Sequence, residues 1–356
     1  MAKTIVGLEI TEEGVRAAEV TVGKNPTIVA AGSVPLPPGA AKDSEVFDRD
    51  AVVLAIRQLW SRAGIKANRV TLGLGSRRIL VRDYTTTAMR PDLLALALPF
   101  QVQDLLPVPA DQAVLDFYPV SQDGDQVTGL LVAAVAETVE DLVATVGKAK
   151  VRVDVVDLAP FALARAVTRL AAPGETVAAL HLGDHTSYVV VVQDRVPRFV
   201  RIIPVEIATE AVRAREVAAQ RGDDAAPAFE EILETVPPGD PHVDDAPLRR
   251  RAAARAAGRM AVSTMSSAAI DDLVMRLGST LRFYADRSAD APITRVLLTG
   301  AGAGVDGIAG ALAASLPMPV QVVGASTVFA RKNDQPLGAD DLDLLTTAGL
   351  ALTEVR

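Results

Sequence analysis

The residues with the most chemistry in this sequence stand in three turns that follow apolar strands. The first lies in Val6-Gly7-Leu8-Glu9-Ile10-Thr11-Glu12-Glu13-Gly14-Val15. The second lies in Ala179-Leu180-His181-Leu182-Gly183-Asp184-His185-Thr186, and the third in Val296-Leu297-Leu298-Thr299-Gly300-Ala301-Gly302-Ala303. Glycine lets a backbone approach a phosphate or a base closely, and the N–H groups of such a loop can point at an anion. One glycine-bearing loop says little, whereas three in order say more. The first turn also opposes anion binding, because it holds Glu12 and Glu13. Like charges ~4 Å apart at an effective dielectric near ~20 repel by a few kcal/mol. Two readings stay open. Either a Mg²⁺ ion offsets the repulsion and Glu9 orients a metal-bound water, or both glutamates face solvent in a hairpin turn.

Other chemistry is poorly supported. His181, Asp184 and His185 are spaced as H-x-x-D-H, which suits metal ligands on one helix face. Here they straddle a strand end and a turn, so a polar turn is expected and zinc is not. No Gly-x-x-x-x-Gly-Lys-Ser/Thr loop occurs, no Ser-His-Asp arrangement can be argued from spacing, and there is no cysteine. Disulfides, thiolate catalysis and cysteine-ligated zinc are therefore excluded. The net charge of −8 argues against nucleic acid as the main partner. No apolar run approaches the ~20 residues needed to span a bilayer. The chain opens on a strand-like segment with no signal-peptide pattern. A cytoplasmic protein that contacts a membrane only through a partner is the expectation.

The elements that must hold these turns repeat. Ile5–Ile10, Val15–Val20 and Thr27–Val34 read as a three-stranded meander, and so do Val177–Leu182, Tyr188–Val192 and Arg198–Val205. With 356 residues, two lobes on one plan are expected. Helices follow each meander at Asp50–Ala63, with Asp50 as its N-cap, and at Asp271–Arg287; another closes the chain at Asp341–Thr353. Residues from about 79 to 155 read as an inserted α/β subdomain with helices at Pro91–Leu105 and Thr138–Ala149. Residues from about 206 to 275 read as a mostly helical insertion. Its acidic middle, Asp223–Asp245, contains His242 and is followed by Arg249-Arg250-Arg251, and it reads as a surface loop. The expected layout is a first lobe over 1–175, a second over 176–340, and a C-terminal helix over 341–356 returning to the first.

The order of the three turns resembles the actin-like superfamily, in which two phosphate loops and an adenosine loop surround one cleft. That resemblance implies an α/β fold of duplicated ribonuclease-H-like lobes. It implies Glu9, Thr11, Gly183 and Thr186 as phosphate-side residues and Gly300, Gly302 and Ala303 as the adenosine side. ATP with Mg²⁺ is the implied cofactor. Within the superfamily the chain is similar to the type IV pilus assembly protein PilM family. The residues that carry this are Pro35–Ala40, Met89–Leu94 leading to Leu98-Pro99-Phe100-Gln101, Asp116-Phe117-Tyr118, Val156–Leu163, Leu281–Tyr284 and Thr347–Leu352. Similarity to that family implies a cytoplasmic adaptor that binds the N-terminal tail of a PilN-like inner-membrane protein, with a homo-oligomer left open.

Departures weigh against turnover. Glu9-Ile10-Thr11 stands where the family usually has Asp-Ile-Gly, and His181 stands where it has a second Asp. Pro204-Val205-Glu206 replaces a Gly-Gly pair, and proline offers no N–H. Ala301 replaces one glycine of the third loop. An active ATPase or a sugar-kinase-like phosphotransferase is the alternative, and a filament-forming division protein is a third. The partner site implied by the family lies beside the insert, whose helix carries Leu93, Leu94, Leu96 and Leu98. Four leucines in six residues exceed what one buried stripe needs, so some are expected to meet a partner.

Overall fold

The computed structural model describes residues 3–214, 265–332 and 337–352. The stretch Asp223–Asp245, with His242 and the arginine triplet after it, lies outside these residues.

Two sheets of matching strand order form the body. In the first, Thr4–Ile10 pairs antiparallel with Gly14–Thr21, which pairs antiparallel with Thr27–Pro35. On its other side Thr4–Ile10 pairs parallel with Arg69–Leu74, which pairs parallel with Arg152–Leu158. In the second, Thr176–Leu182, Thr186–Gln193 and Val196–Pro204 repeat the antiparallel meander. Arg295–Thr299 and Val320–Val322 then add on the parallel side. This is the duplicated, two-lobed actin-like plan.

The first two strands of the second meander are nearly continuous in apolar residues because both faces of that sheet are covered, as parallel pairing requires. Along the second meander, Val177, Ala179, Val190 and Val192 join the core shared with the first lobe. Ala178, Leu180, Val189 and Val191 face a separate core under the helix Ser267–Arg287. Alternate residues thus serve opposite layers.

Two helices fill the space between the sheets: Ala159–Val167 and the terminal helix Asp341–Leu350. The terminal helix approaches backbone that only glycine allows. A Cβ on Gly7 would stand 1.9 Å from the Thr347 carbonyl oxygen, and one on Gly349 would stand 2.3 Å from that of Ala162. The helix is buried on every side, including Asp343, Thr346 and Thr347. It ends at Leu350, short of Thr353, and it is a core element, not an amphipathic cover.

The helix Arg49–Ala63 covers the outer face of the first sheet. Its N-cap is Asp48, whose side chain accepts from the Ala51 N–H at 3.0 Å, while the expected cap Asp50 sits in the first turn. Trp60 donates its indole N–H to the Ala67 carbonyl at 2.9 Å. The inserted subdomain is an antiparallel sheet of Leu80–Thr87, Gln126–Val135 and Ala113–Asp123, with the last at one edge. The helix Pro91–Gln101 lies over it. That helix stops at Gln101, short of Leu105, and carries Pro99 inside its last turn. A separate 3₁₀ turn carries Gln103–Leu105.

Candidate functional site

The three turns meet at one seam between the lobes. The Gly183 turn and the Gly300 loop end neighbouring strands of the second sheet. Gly300 has φ 87°, and a Cβ there would stand 2.4 Å from the Leu182 carbonyl oxygen. Gly302 packs on the Leu182 and Ile207 side chains, and the Ala303 N–H donates to the Gly300 carbonyl at 2.9 Å. The Gly300 loop also reaches the terminal helix. The Gly300 N–H donates to the Leu342 carbonyl at 3.1 Å, and the Ala301 N–H to Asp343 Oδ1 at 2.8 Å.

From the first lobe, Glu9 ends its strand opposite the same helix and accepts a hydrogen bond from the Thr347 hydroxyl. Thr11 closes its own hairpin. Its N–H and hydroxyl both donate to the Gly14 carbonyl, at 2.9 and 3.1 Å. Thr186 is half-buried and pairs in register with Pro204.

Charged side chains cross the seam. Arg16, paired in register with Glu9, is buried. Its Nη2 lies 3.1 Å from Asp343 Oδ2 and 3.6 Å from Asp184 Oδ2. Burial opposes its charge, but Asp343, then Asp184, Glu9 and Glu13 outweigh that and push its pKa up. Burial raises Glu9, against the Thr347 hydrogen bond and Arg16; burial raises Asp343 as well, against Arg16. Asp184 also accepts from the Thr209 hydroxyl. A second bridge lies beside the first. His185 Nε2 is 2.8 Å from Glu13 Oε1 and 3.8 Å from Glu12 Oε1, and its Nδ1 is 3.4 Å from Glu206 Oε2. Its hydrogen bond to Glu13 raises the imidazole to about 9 against desolvation.

Glu12 and Glu13 therefore do not face solvent. The hairpin turn is there, but its carboxylates turn across the seam to an imidazolium, and Glu13 is 6% exposed. His181 behaves oppositely. It is buried, stacked on Tyr188 at 4.6 Å, and pushed down to about 3 by burial and by Arg16. The Tyr188 hydroxyl donates to Thr346 Oγ1 at 3.0 Å. His181 and His185 thus belong to separate contacts, as a polar turn would have them. Arg16 and Asp343 were not singled out by sequence reasoning. Arg16 could have been: an arginine at an inward position of a mostly apolar strand needs a buried counter-charge.

These residues, so arranged, are committed to one another and leave no open set of carboxylate oxygens for a metal ion. The glycines of the second and third turns abut their own backbone: a Cβ on Gly183 would lie 2.5 Å from the Thr186 carbonyl oxygen. The Thr11 hydroxyl is committed to its hairpin. The space between the seam carboxylates holds a guanidinium.

The insert helix divides its leucines. Leu98 is 3% exposed and packs with Val102 and Leu131, with Leu94 alongside, so these complete the subdomain's own core. Leu98 is thereby removed as a partner contact, since its face of the helix covers the sheet. Leu93 is 49%, Leu96 70% and Phe100 78% exposed. They share the opposite face at helical spacing. Phe100 was missed, although the 3-4 step from Leu93 through Leu96 would have reached it.

A family model described as type IV pilus assembly protein PilM matches residues 7–201, more than half of the chain. The chain belongs to the PilM family. Among solved structures, a PilM-PilN type IV pilus biogenesis complex resembles this PilM-family chain at 21% identity and TM-score 0.74. The match covers 98% of this chain and 97% of the other. The ethanolamine utilization protein EutJ from Carboxydothermus hydrogenoformans is a looser likeness, at 14% identity and TM-score 0.48, covering 98% and 90%. No curated protein sequence matches the chain.

Proposed function

We propose that this PilM-family chain is a cytoplasmic adaptor of a type IV pilus assembly machine. It receives the N-terminal tail of a PilN-like inner-membrane protein on its inserted subdomain. The observation that carries the reading is the outward stripe of Leu93, Leu96 and Phe100 on a helix whose other face already completes the local core. An apolar stripe of this kind on a small subdomain marks an interaction site. The strand Ala113–Asp123 forms an edge of the sheet beneath, with Val114 exposed. A short tail could pair with that edge while apolar side chains dock on the helix. The solved complex of similar fold is itself a PilM-PilN assembly. Among the described residues no helix is long and apolar enough to cross a membrane, which suits attachment through a partner.

The test is a titration of a labelled peptide carrying the partner's tail, read by fluorescence anisotropy. An interface this small supports roughly micromolar affinity. Leu96→Asp with Phe100→Asp should weaken binding about tenfold or more while the melting temperature holds. Unchanged binding by the folded double variant would move the site elsewhere.

A further inference from the structure

We propose that Arg16 is a built-in cation of the interlobe seam, standing where a divalent ion would otherwise join carboxylates of the two lobes, so that lobe closure needs neither metal nor nucleotide. Two acids from two elements pair with this guanidinium, and a third stands beside it in register. Glu9 is its register partner on the neighbouring first-lobe strand. Asp184 belongs to the turn after the first strand of the second lobe, and its other oxygen accepts from Thr209. Asp343 belongs to the terminal helix, and its other oxygen accepts the Ala301 N–H of the glycine-rich loop. One side chain therefore ties the first lobe to both loops of the second and to the helix between them.

A carboxylate cluster at such a seam has two physical solutions. A hard divalent ion would need about six oxygen ligands at roughly 2.0–2.6 Å. A guanidinium instead joins carboxylates through a planar fork of N–H donors and stays charged when buried. This chain uses the second solution. Arg16 is 9% exposed, as a residue built into the interior is, not a surface arginine that happens to lean inward. A divalent ion could join the same two carboxylates only by displacing it, which would leave a buried charge without its partners, a strongly unfavourable state. The inference is independent of which partner the insert takes.

The experiment is a set of melting curves of the full chain in EDTA, in millimolar Mg²⁺ or Ca²⁺, and in Mg²⁺ with ATP. The wild type is expected to melt at one temperature in all of them. Arg16→Ala leaves Asp184 and Asp343 buried without their counter-ion, so its melting temperature should fall by several degrees in EDTA and recover in part with Mg²⁺ or Ca²⁺. Arg16→Lys keeps the charge and should stay indifferent to the ions. A wild type stabilised by Mg²⁺ or by Mg²⁺ with ATP overturns the proposal, and so does an Arg16→Ala variant that ignores both ions. If Arg16→Ala does not fold, the wild type and Arg16→Lys decide: indifference of both supports the built-in cation, and a response by either overturns it.

Discussion

His185 holds its proton because of what surrounds it. Glu13 and Glu12 face it from the first-lobe hairpin and Glu206 from the segment after the second meander, while Asp184 precedes it in the chain. Its folded pKa of about 9 stands above the ordinary histidine value. The sign follows from linkage: the bridge's contribution is fully present below about pH 6.5 and is lost as pH rises through about 9. The imidazole is a quarter exposed, so solvent screening reduces the effect to on the order of 1 kcal/mol. Urea denaturation across this window should show stability falling in the wild type, and His185→Gln should flatten that slope. Equal slopes in both proteins would show that the seam histidine is not the titrating group. The sequence displayed the two glutamates and the histidine but not that they meet, because the contact joins residues over 170 positions apart. Spacing along a chain carries no information about which turn of the other lobe stands opposite. The same limit hid the partners of Arg16.

At the scale of elements, period and punctuation were legible wherever local physics decides. Both meanders appeared within one or two residues of their observed ends, since β-branched runs and Gly, Asn and Pro turns mark them. The helix Arg49–Ala63 ends at Gly64 in the left-handed conformation, as its glycine suggested. What was not legible is how a helix richer in apolar residues than one stripe divides them. In the insert helix, Leu94 and Leu98 turn inward and Leu93, Leu96 and Phe100 turn outward. This division makes a sharp prediction. Leu98→Ala should cost about 2–4 kcal/mol, since its atoms leave a filled core. Leu96→Asn should change stability by no more than about 0.5 kcal/mol. Urea midpoints for the two variants read the difference directly. Similar costs would mean that the outer stripe is buried after all, against the molecule's own second face or a second copy of the chain.

For the whole molecule, the question is whether two lobes of one plan behave as two domains. The core argues that they do not. The cluster around the terminal helix contains Val6, Leu8 and Leu72 from the first lobe together with Val177, Ala179, Val190 and Leu297 from the second. Leu345 and Ala348 of that helix are fully buried in it. The Arg16–Asp343 ion pair lies on the same helix, so apolar and polar contacts tie the lobes through one element. A change there is therefore felt on both sides. Leu345→Ala should cost about 2–5 kcal/mol as a cavity in a packed interior. It should also leave a single cooperative transition, because neither lobe keeps a complete core alone. The single tryptophan, Trp60, reports the first lobe by fluorescence. Amide exchange in Thr176–Leu182 reports the second. Both readouts should weaken together in Leu345→Ala. Faster exchange in the second lobe with an unchanged Trp60 transition would show that the terminal helix belongs energetically to one lobe. The seam would then be a hinge between independent domains, and not the middle of one fold.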